Sequence, residues 1–140
     1  MIYTIGHGTH SIQDFFVTLA ENDINRVVDL RSYPASRRAP QFNRQKLERE
    51  CEIRNIEYVW RGKSLGGFGE IPEDFFMRGI AELRTHEKSS KTVIMCSETD
   101  HTKCHRYQKI TPVLEKSGIA VTHLVVIDGE PKKNITLSDF

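Results

Sequence analysis

The feature that most constrains this chain is an alternation. Five short apolar runs, "MIYTI", "RVVDL", "IEYVW", "KTVIMCS" and "IAVTHLVVI", are separated by longer stretches with helical spacing. "RVVDL" is a continuous β-branched run, the pattern of a strand covered on both faces. A strand that hands over to a helix before the next strand needs a crossover, and crossovers build parallel sheets with helices on both faces. The order β-α-β-α-β-α-β-α-β therefore predicts an α/β fold. We expect about five strands, mainly parallel, in one layered domain over residues 1–127, followed by a polar, irregular tail over residues 128–140.

The helix boundaries have local causes. Ser11 precedes "IQDFFVTLAEND", with Asp14 three residues on to complete a capping arrangement. Asn43 can cap a second helix that runs to about Arg54. Pro72 suits a first helical turn, and Glu73 and Asp74 favour the positive end of the helix dipole. Phe75, Phe76, Gly79, Ile80 and Leu83 give that helix an apolar stripe. A last helix is expected from about Lys103 to Lys116, kinked at Pro112 and stopped by Gly118.

Composition narrows the setting and not the partner. The net charge is +1, so neither a basic nor an acidic excess points to a ligand class. No apolar stretch approaches the ~20 residues that cross a bilayer. The first residues, "MIYTIGHGTH", lack a basic region followed by an apolar run. With three cysteines, an odd number, we expect a soluble, cytoplasmic chain with reduced thiols and no membrane partner.

In open parallel sheets, ligands bind at the carboxyl ends of the strands. The unusual segments all follow strands: "GHGTH", "RSYPASRRAPQFNR", "RGKSLGGFGE" and "SETDHTKCHR". The opposite-edge connections, such as "ENDIN" and "EKSSK", are plain polar turns. From Arg31 to Lys46 the chain carries Arg31, Arg37, Arg38, Arg44 and Lys46 and no acid. Arginine grips phosphate and carboxylate bidentately. Pro34 and Pro40 stiffen this loop, and Tyr33 and Phe42 offer rings for stacking. A solvated basic loop is the plainer alternative. Gly66 and Gly67 in "LGGFG" permit close backbone approach to a ligand, or form a lid, or merely connect. His7 is either an acid–base group near neutral pH or a turn histidine.

The stretch from Met95 to Arg106, "MCSETDHTKCHR", admits four readings. As a zinc site, Cys96, His101, Cys104 and His105 lack the usual second cluster of ligands. As a phosphatase- or rhodanese-like thiol, Cys96 lacks an arginine six residues on, where Thr102 stands; Arg106 lies ten residues along. As a nucleotide or nucleic-acid site, Cys96 and Glu98 would do the chemistry, on one side if the strand continues, while Arg31, Arg37 and Arg106 hold phosphate. Cys104 would sit in the first turn of a helix, where the dipole lowers a thiol pKa. As pure structure, Cys96 would be a small core residue and Cys104, His105 and Arg106 a helix start. Cys51, on the apolar side of the second helix, is expected to pack in the core.

Four motifs taken together resemble the domain of unknown function 488 family: "YTIGHGTHSIQDF", "VVDLRSYPASRRAPQFN", "LGGF" and "CSETDHTKCHR". The likeness runs from Ile2 to about Leu124. Gly8 stands where that pattern has Ser, Leu30 where it has Val, and His101 and Thr102 where a Pro-containing turn is common. The resemblance implies an α/β domain. It points to Arg31, Ser36, Arg37, Cys96, Glu98, Cys104, His105 and Arg106 as the site and supplies no reaction.

Our expectation is a basic pocket at the carboxyl edge of the sheet that binds a phosphate-bearing ligand, a nucleotide or nucleic acid. Cys96, Glu98, Cys104, His105 and Arg106 would be its catalytic cluster, and His7, Arg31, Ser36, Arg37, Arg38, Gly66 and Gly67 its binding residues. We expect no metal and no cofactor. A hydrolase or transferase is favoured; a rhodanese-like sulfurtransferase and a non-catalytic nucleic-acid-binding module are the alternatives.

Overall fold

The computed structural model describes residues 1–67, 69–104 and 106–127. The expected tail and His105 lie outside the described residues. Five strands form one sheet: β1 (Ile2–Gly6), β2 (Arg26–Asp29), β3 (Glu57–Trp60), β4 (Thr92–Cys96) and β5 (Val121–His123). Their spatial order is β3-β2-β4-β1-β5, and every pairing is parallel. The expected α/β class, strand number and helical layers are thus borne out.

The helices are α1 (Ile12–Glu21), α2 (Arg44–Ile53), α3 (Gly62–Leu65), α4 (Glu73–Ser89) and α5 (Thr111–Lys116). Phe15, Phe16 and Leu19 of α1 and Leu47 and Cys51 of α2 pack on one face of the sheet, against Ile5, Val27, Val93 and Met95. Leu65, Phe76, Ile80, Leu83 and Leu114 pack on the other, against Ile2, Val28 and Ile94. Each such side chain, fully buried, contributes about 1.5–3 kcal/mol. The split follows from handedness. The steps β1 to β2 and β2 to β3 move one way across the sheet, and β3 to β4 and β4 to β5 move the other way. Right-handed crossovers then fall on opposite faces.

That reversal positions the site. The central strand β4 sends its connection to one face, and its neighbours β1 and β2 send theirs to the other. The loops part, and a crevice opens at the carboxyl edge. The register levels its floor: Gly6 lies opposite Cys96, and Asp29 opposite Met95. A Cβ on Gly6 would come within 1.9 Å of the Glu98 carbonyl oxygen, so only glycine lets the loop after β4 cross the end of β1.

Three local expectations change. Ser11 caps α1 as expected, its Oγ accepting from the Asp14 amide at 3.0 Å. Asn43 holds the N-cap position of α2, but its Oδ1 accepts instead from the Ser36 amide at 2.9 Å, so the side chain ties down the basic loop. The single helix expected from Lys103 to Lys116 is broken into a 3-10 turn at His101–Lys103, a π-wound segment at Arg106–Ile110, and α5. Pro112 opens α5 rather than kinking a longer helix, since a first turn does not need the missing N–H. The glycine-rich segment after β3, read as a lid or a connection, begins with α3, and a Cβ on Gly66 would strike Ser32 Oγ at 2.2 Å. Gly66 is therefore a packing point between two loops.

Candidate functional site

The crevice contains a cavity of about 440 Å3, lined by residues that include His7, Arg31, Ser36, Cys96, Glu98 and Cys104. Tyr33, Gly67 and Ser97 also face it. A second hollow of about 480 Å3 shares His7, Ser36, Ser97 and Glu98 and extends to Arg38. Segments distant in sequence thus meet at one edge. Larger hollows lie elsewhere, one of about 670 Å3 around Arg26, Glu57 and Tyr58, and one of about 650 Å3 against α3 and α4, walled by residues such as Trp60, Phe75 and Glu82. Neither is lined by a thiol or histidine, and Arg61 of the latter pairs with Glu82 at 2.9 Å. Chemistry, rather than size, directs attention to the strand-end crevice.

One wall is a charge knot at the end of β2. Asp29 is fully buried. Its Oδ1 accepts from the Arg31 amide at 3.0 Å and from Arg31 Nε at 2.9 Å; its Oδ2 accepts from Arg31 Nη2 at 2.7 Å and from the Tyr58 hydroxyl at 2.5 Å. The remaining Arg31 nitrogen, Nη1, lies 3.3 Å from His7 Nε2. His7 Nδ1 sits 2.7 Å from the Gly8 carbonyl oxygen, which can only accept. Nδ1 therefore carries the proton, and Nε2 accepts from Arg31. Burial, followed by the Arg31 charge, lowers the His7 pKa from 6.5 to about 4, and the ring stacks on Phe42 at 4.5 Å. Both ring nitrogens of His7 are thus engaged, one by the Gly8 carbonyl and one by Arg31. Burial and the Asp29 carboxylate push the Tyr58 phenol up, so it stays a donor.

The opposite wall is sulfur. Cys96 Sγ lies 3.4 Å from Cys104 Sγ, 3.5 Å from the Glu98 carbonyl oxygen and 3.0 Å from Arg106 Nη1. Arg106 is the largest fully buried side chain, and its Nε has no hydrogen-bond partner among the described residues. The bond to Cys104 and burial raise the Cys96 pKa, against the lowering pull of Arg106. Cys96 thus holds its proton and is placed to donate it to Cys104. Cys104 is half-buried, with extended backbone (φ −122°, ψ 160°) at the end of the 3-10 turn. It does not stand in the first turn of a helix as expected; it precedes the segment Arg106–Ile110, and its carbonyl accepts from the Gln108 amide at 3.3 Å.

Other expected residues fall around this frame. β4 ends at Cys96, so Glu98 does not follow it along a strand. Glu98 is exposed, and its Oε1 accepts from the Asp100 amide at 3.0 Å. Ser36 Oγ accepts from the Arg38 amide at 3.1 Å. Arg37 and Arg38 are exposed, and neither has an ion-pair partner among the described residues; Arg38 reaches the second hollow, whereas Arg37 lines neither. His101 stacks on His123 at 3.8 Å, and among the described residues no three His, Cys, Asp or Glu side chains gather as a metal ion would require. Cys51 packs in the core, where burial pushes its thiol up to about 12. No described helix is long and apolar enough to cross a membrane.

Sequence reasoning passed over Asp29 and Tyr58. A signal existed: a carboxylate inside the apolar run "RVVDL" is almost never buried unless paired. The partner was two residues away, but Tyr58 comes from the next strand, where only the β2–β3 pairing brings it near.

The family model described as Domain of unknown function DUF488 matches residues 11–78. This span runs from the cap of α1 into α4 and holds the whole basic loop. It bears out the family likeness read from the motifs, over a shorter stretch that leaves out Cys96, Cys104 and Arg106. The outline likeness to rhodanese-like domains finds no such support. No curated protein and no solved structure matches the chain.

Proposed function

We propose that this DUF488-family chain binds a phosphate-bearing ligand, a nucleotide or a nucleic-acid end, in the crevice at the carboxyl edge of its sheet. The observation that carries the reading is the pair of adjoining hollows, with thiols at one end, an unpaired arginine at the other and the Glu98 carboxylate on the wall between them. Arg31 is committed to Asp29, so its role is to shape the wall. The phosphate contact falls to Arg38, with Arg37 at the rim adding charge. Tyr33, exposed beside the cavity, is the stacking surface for a base. Glu98, on the wall common to both hollows, is the group for proton transfer or nucleophilic attack in a hydrolase or transferase step.

The test is a thermal-shift screen of nucleotides and short oligonucleotides against the full chain. A true ligand at a hundredfold excess over its dissociation constant stabilises the fold by about 3 kcal/mol. Arg38→Ala should weaken binding while leaving the unliganded melting temperature in place, and oligonucleotide affinity should fall steeply with salt. No shift with any phosphate compound overturns the reading. The runner-up, sulfur transfer through Cys96, is favoured by the arginine against its sulfur. Thiosulfate would then leave a persulfide at Cys96, visible by intact mass and absent in Cys96→Ser.

A further inference from the structure

We propose that Cys96 and Cys104 form a two-thiol redox centre that closes reversibly to a disulfide in the cavity wall. The two sulfurs stand 3.4 Å apart, and a bond of about 2.05 Å needs ~1.3 Å of approach. Cys104, which must travel, sits in extended backbone between a 3-10 turn and a π-wound segment, both weaker than regular helix. The residues that separate the two cysteines begin with an exposed run from Ser97 to Asp100. Cys51, the third thiol, is buried in the core on the inner face of α2 and takes no part.

The positions divide the labour. Cys104 is the half-exposed sulfur that an oxidant in the cavity meets first; Cys96 is the buried one behind it. With hydrogen peroxide as oxidant, Cys104 as thiolate attacks one peroxide oxygen and the O–O bond breaks. The departing hydroxide takes a proton, leaving a sulfenic acid. Cys96 then attacks the Cys104 sulfur, loses its proton and expels hydroxide, which leaves as water. Two thiols and one peroxide give one disulfide and two waters. In the return direction one thiolate of a dithiol reductant attacks Cys104, the S–S electron pair stays on Cys96, and the reductant's second thiol then displaces Cys104, leaving the reductant as its own disulfide. The Arg106 guanidinium, 3.0 Å from the Cys96 sulfur, stabilises it as a leaving group before it regains a proton. This gives the buried arginine a role that packing alone does not.

The claim is independent of which ligand the crevice binds, and its readout is thiol chemistry rather than ligand affinity. The experiment treats the full chain with stoichiometric peroxide, labels the remaining thiols with a maleimide under denaturing conditions, which open the buried Cys51, and reads intact mass. Three thiols should label before treatment and only Cys51 afterwards, with the other two restored by dithiothreitol. Peptide mapping should place the cross-link between Cys96 and Cys104. Cys96→Ser should instead trap a dimedone-reactive sulfenic acid at Cys104. Arg106→Met should slow reduction by about tenfold, since it removes the charge beside the leaving sulfur. Retention of all three thiols in the unmutated chain after peroxide treatment, or a cross-link that involves Cys51 or a second chain, overturns the proposal. Cys104→Ser, altered at a half-exposed position, guards against misfolding: it must abolish intramolecular thiol loss.

Discussion

Two arginines are buried at the carboxyl edge of the sheet, and they are buried on opposite terms. Arg31 faces a carboxylate that takes three of its N–H groups, with Tyr58 filling the remaining acceptor site and His7 receiving the last nitrogen. Arg106 faces a sulfur, and among the described residues it has no carboxylate. A buried charge is tolerated when it is paired and hydrogen-bonded. By that rule the Arg31 knot is a finished structural joint, whereas the Arg106 centre is unfinished among the described residues. Incomplete satisfaction of a fully buried charge is what a site reserved for chemistry retains.

The largest effect should come from breaking the finished joint. Arg31→Met leaves Asp29 buried without its counter-ion, and should destabilise the fold by about 3–5 kcal/mol in urea titration. If the loss is under about 1 kcal/mol, the two regions do not differ as described.

Acid should act on the same joint with somewhat smaller effect. The unfolded chain protonates His7 near pH 6.5, whereas the native ring resists until about pH 4. Between those values the unfolded state binds more protons, so stability present above pH 6.5 is lost as the pH falls toward 4. The loss should amount to about 3 kcal/mol at the lower end. His7→Gln, which keeps a donor for the Gly8 carbonyl, should flatten that part of the stability–pH curve. An unchanged curve would place the acid sensitivity elsewhere, for example at His123, whose pKa is likewise lowered to about 4 by burial, His101 and Arg106.

The smallest effect on stability should come from the unfinished centre. Arg106→Met removes a charge that has no acid to abandon among the described residues and fills similar space, so it should change stability by less than about 1.5 kcal/mol. Its signature should lie in thiol reduction rather than in unfolding. A loss as large as that of Arg31→Met would make Arg106 a structural residue and erase the contrast.

How much of this could be read in advance depends on range. The strands and α1 were legible because their causes are local: apolar runs, a serine cap, a buried stripe. The basic loop and the "MCSETDHTKCHR" stretch stood out because their residue types are dense and their positions follow strands. The roles inside them were not legible. Arg31 read as a free cation, but its acid lay in the neighbouring strand run. Asn43 read as a helix cap, but its oxygen serves Ser36 across a loop. Cys104 read as a helix-start thiol, but the turn held by the Asp100 side chain on Thr102 ends before it and leaves it extended.

The amino-acid order by itself determined the α/β class, the parallel sheet and the edge at which the chemistry gathers. Hydrophobic periodicity and crossover handedness act along the chain and need no knowledge of distant contacts. Only the tertiary structure decided which charges are spent and which are held ready. That choice rests on the strand order, which places β4 between β1 and β2. It thereby sets an arginine paired with a carboxylate and an arginine against a thiol on two walls of the same crevice.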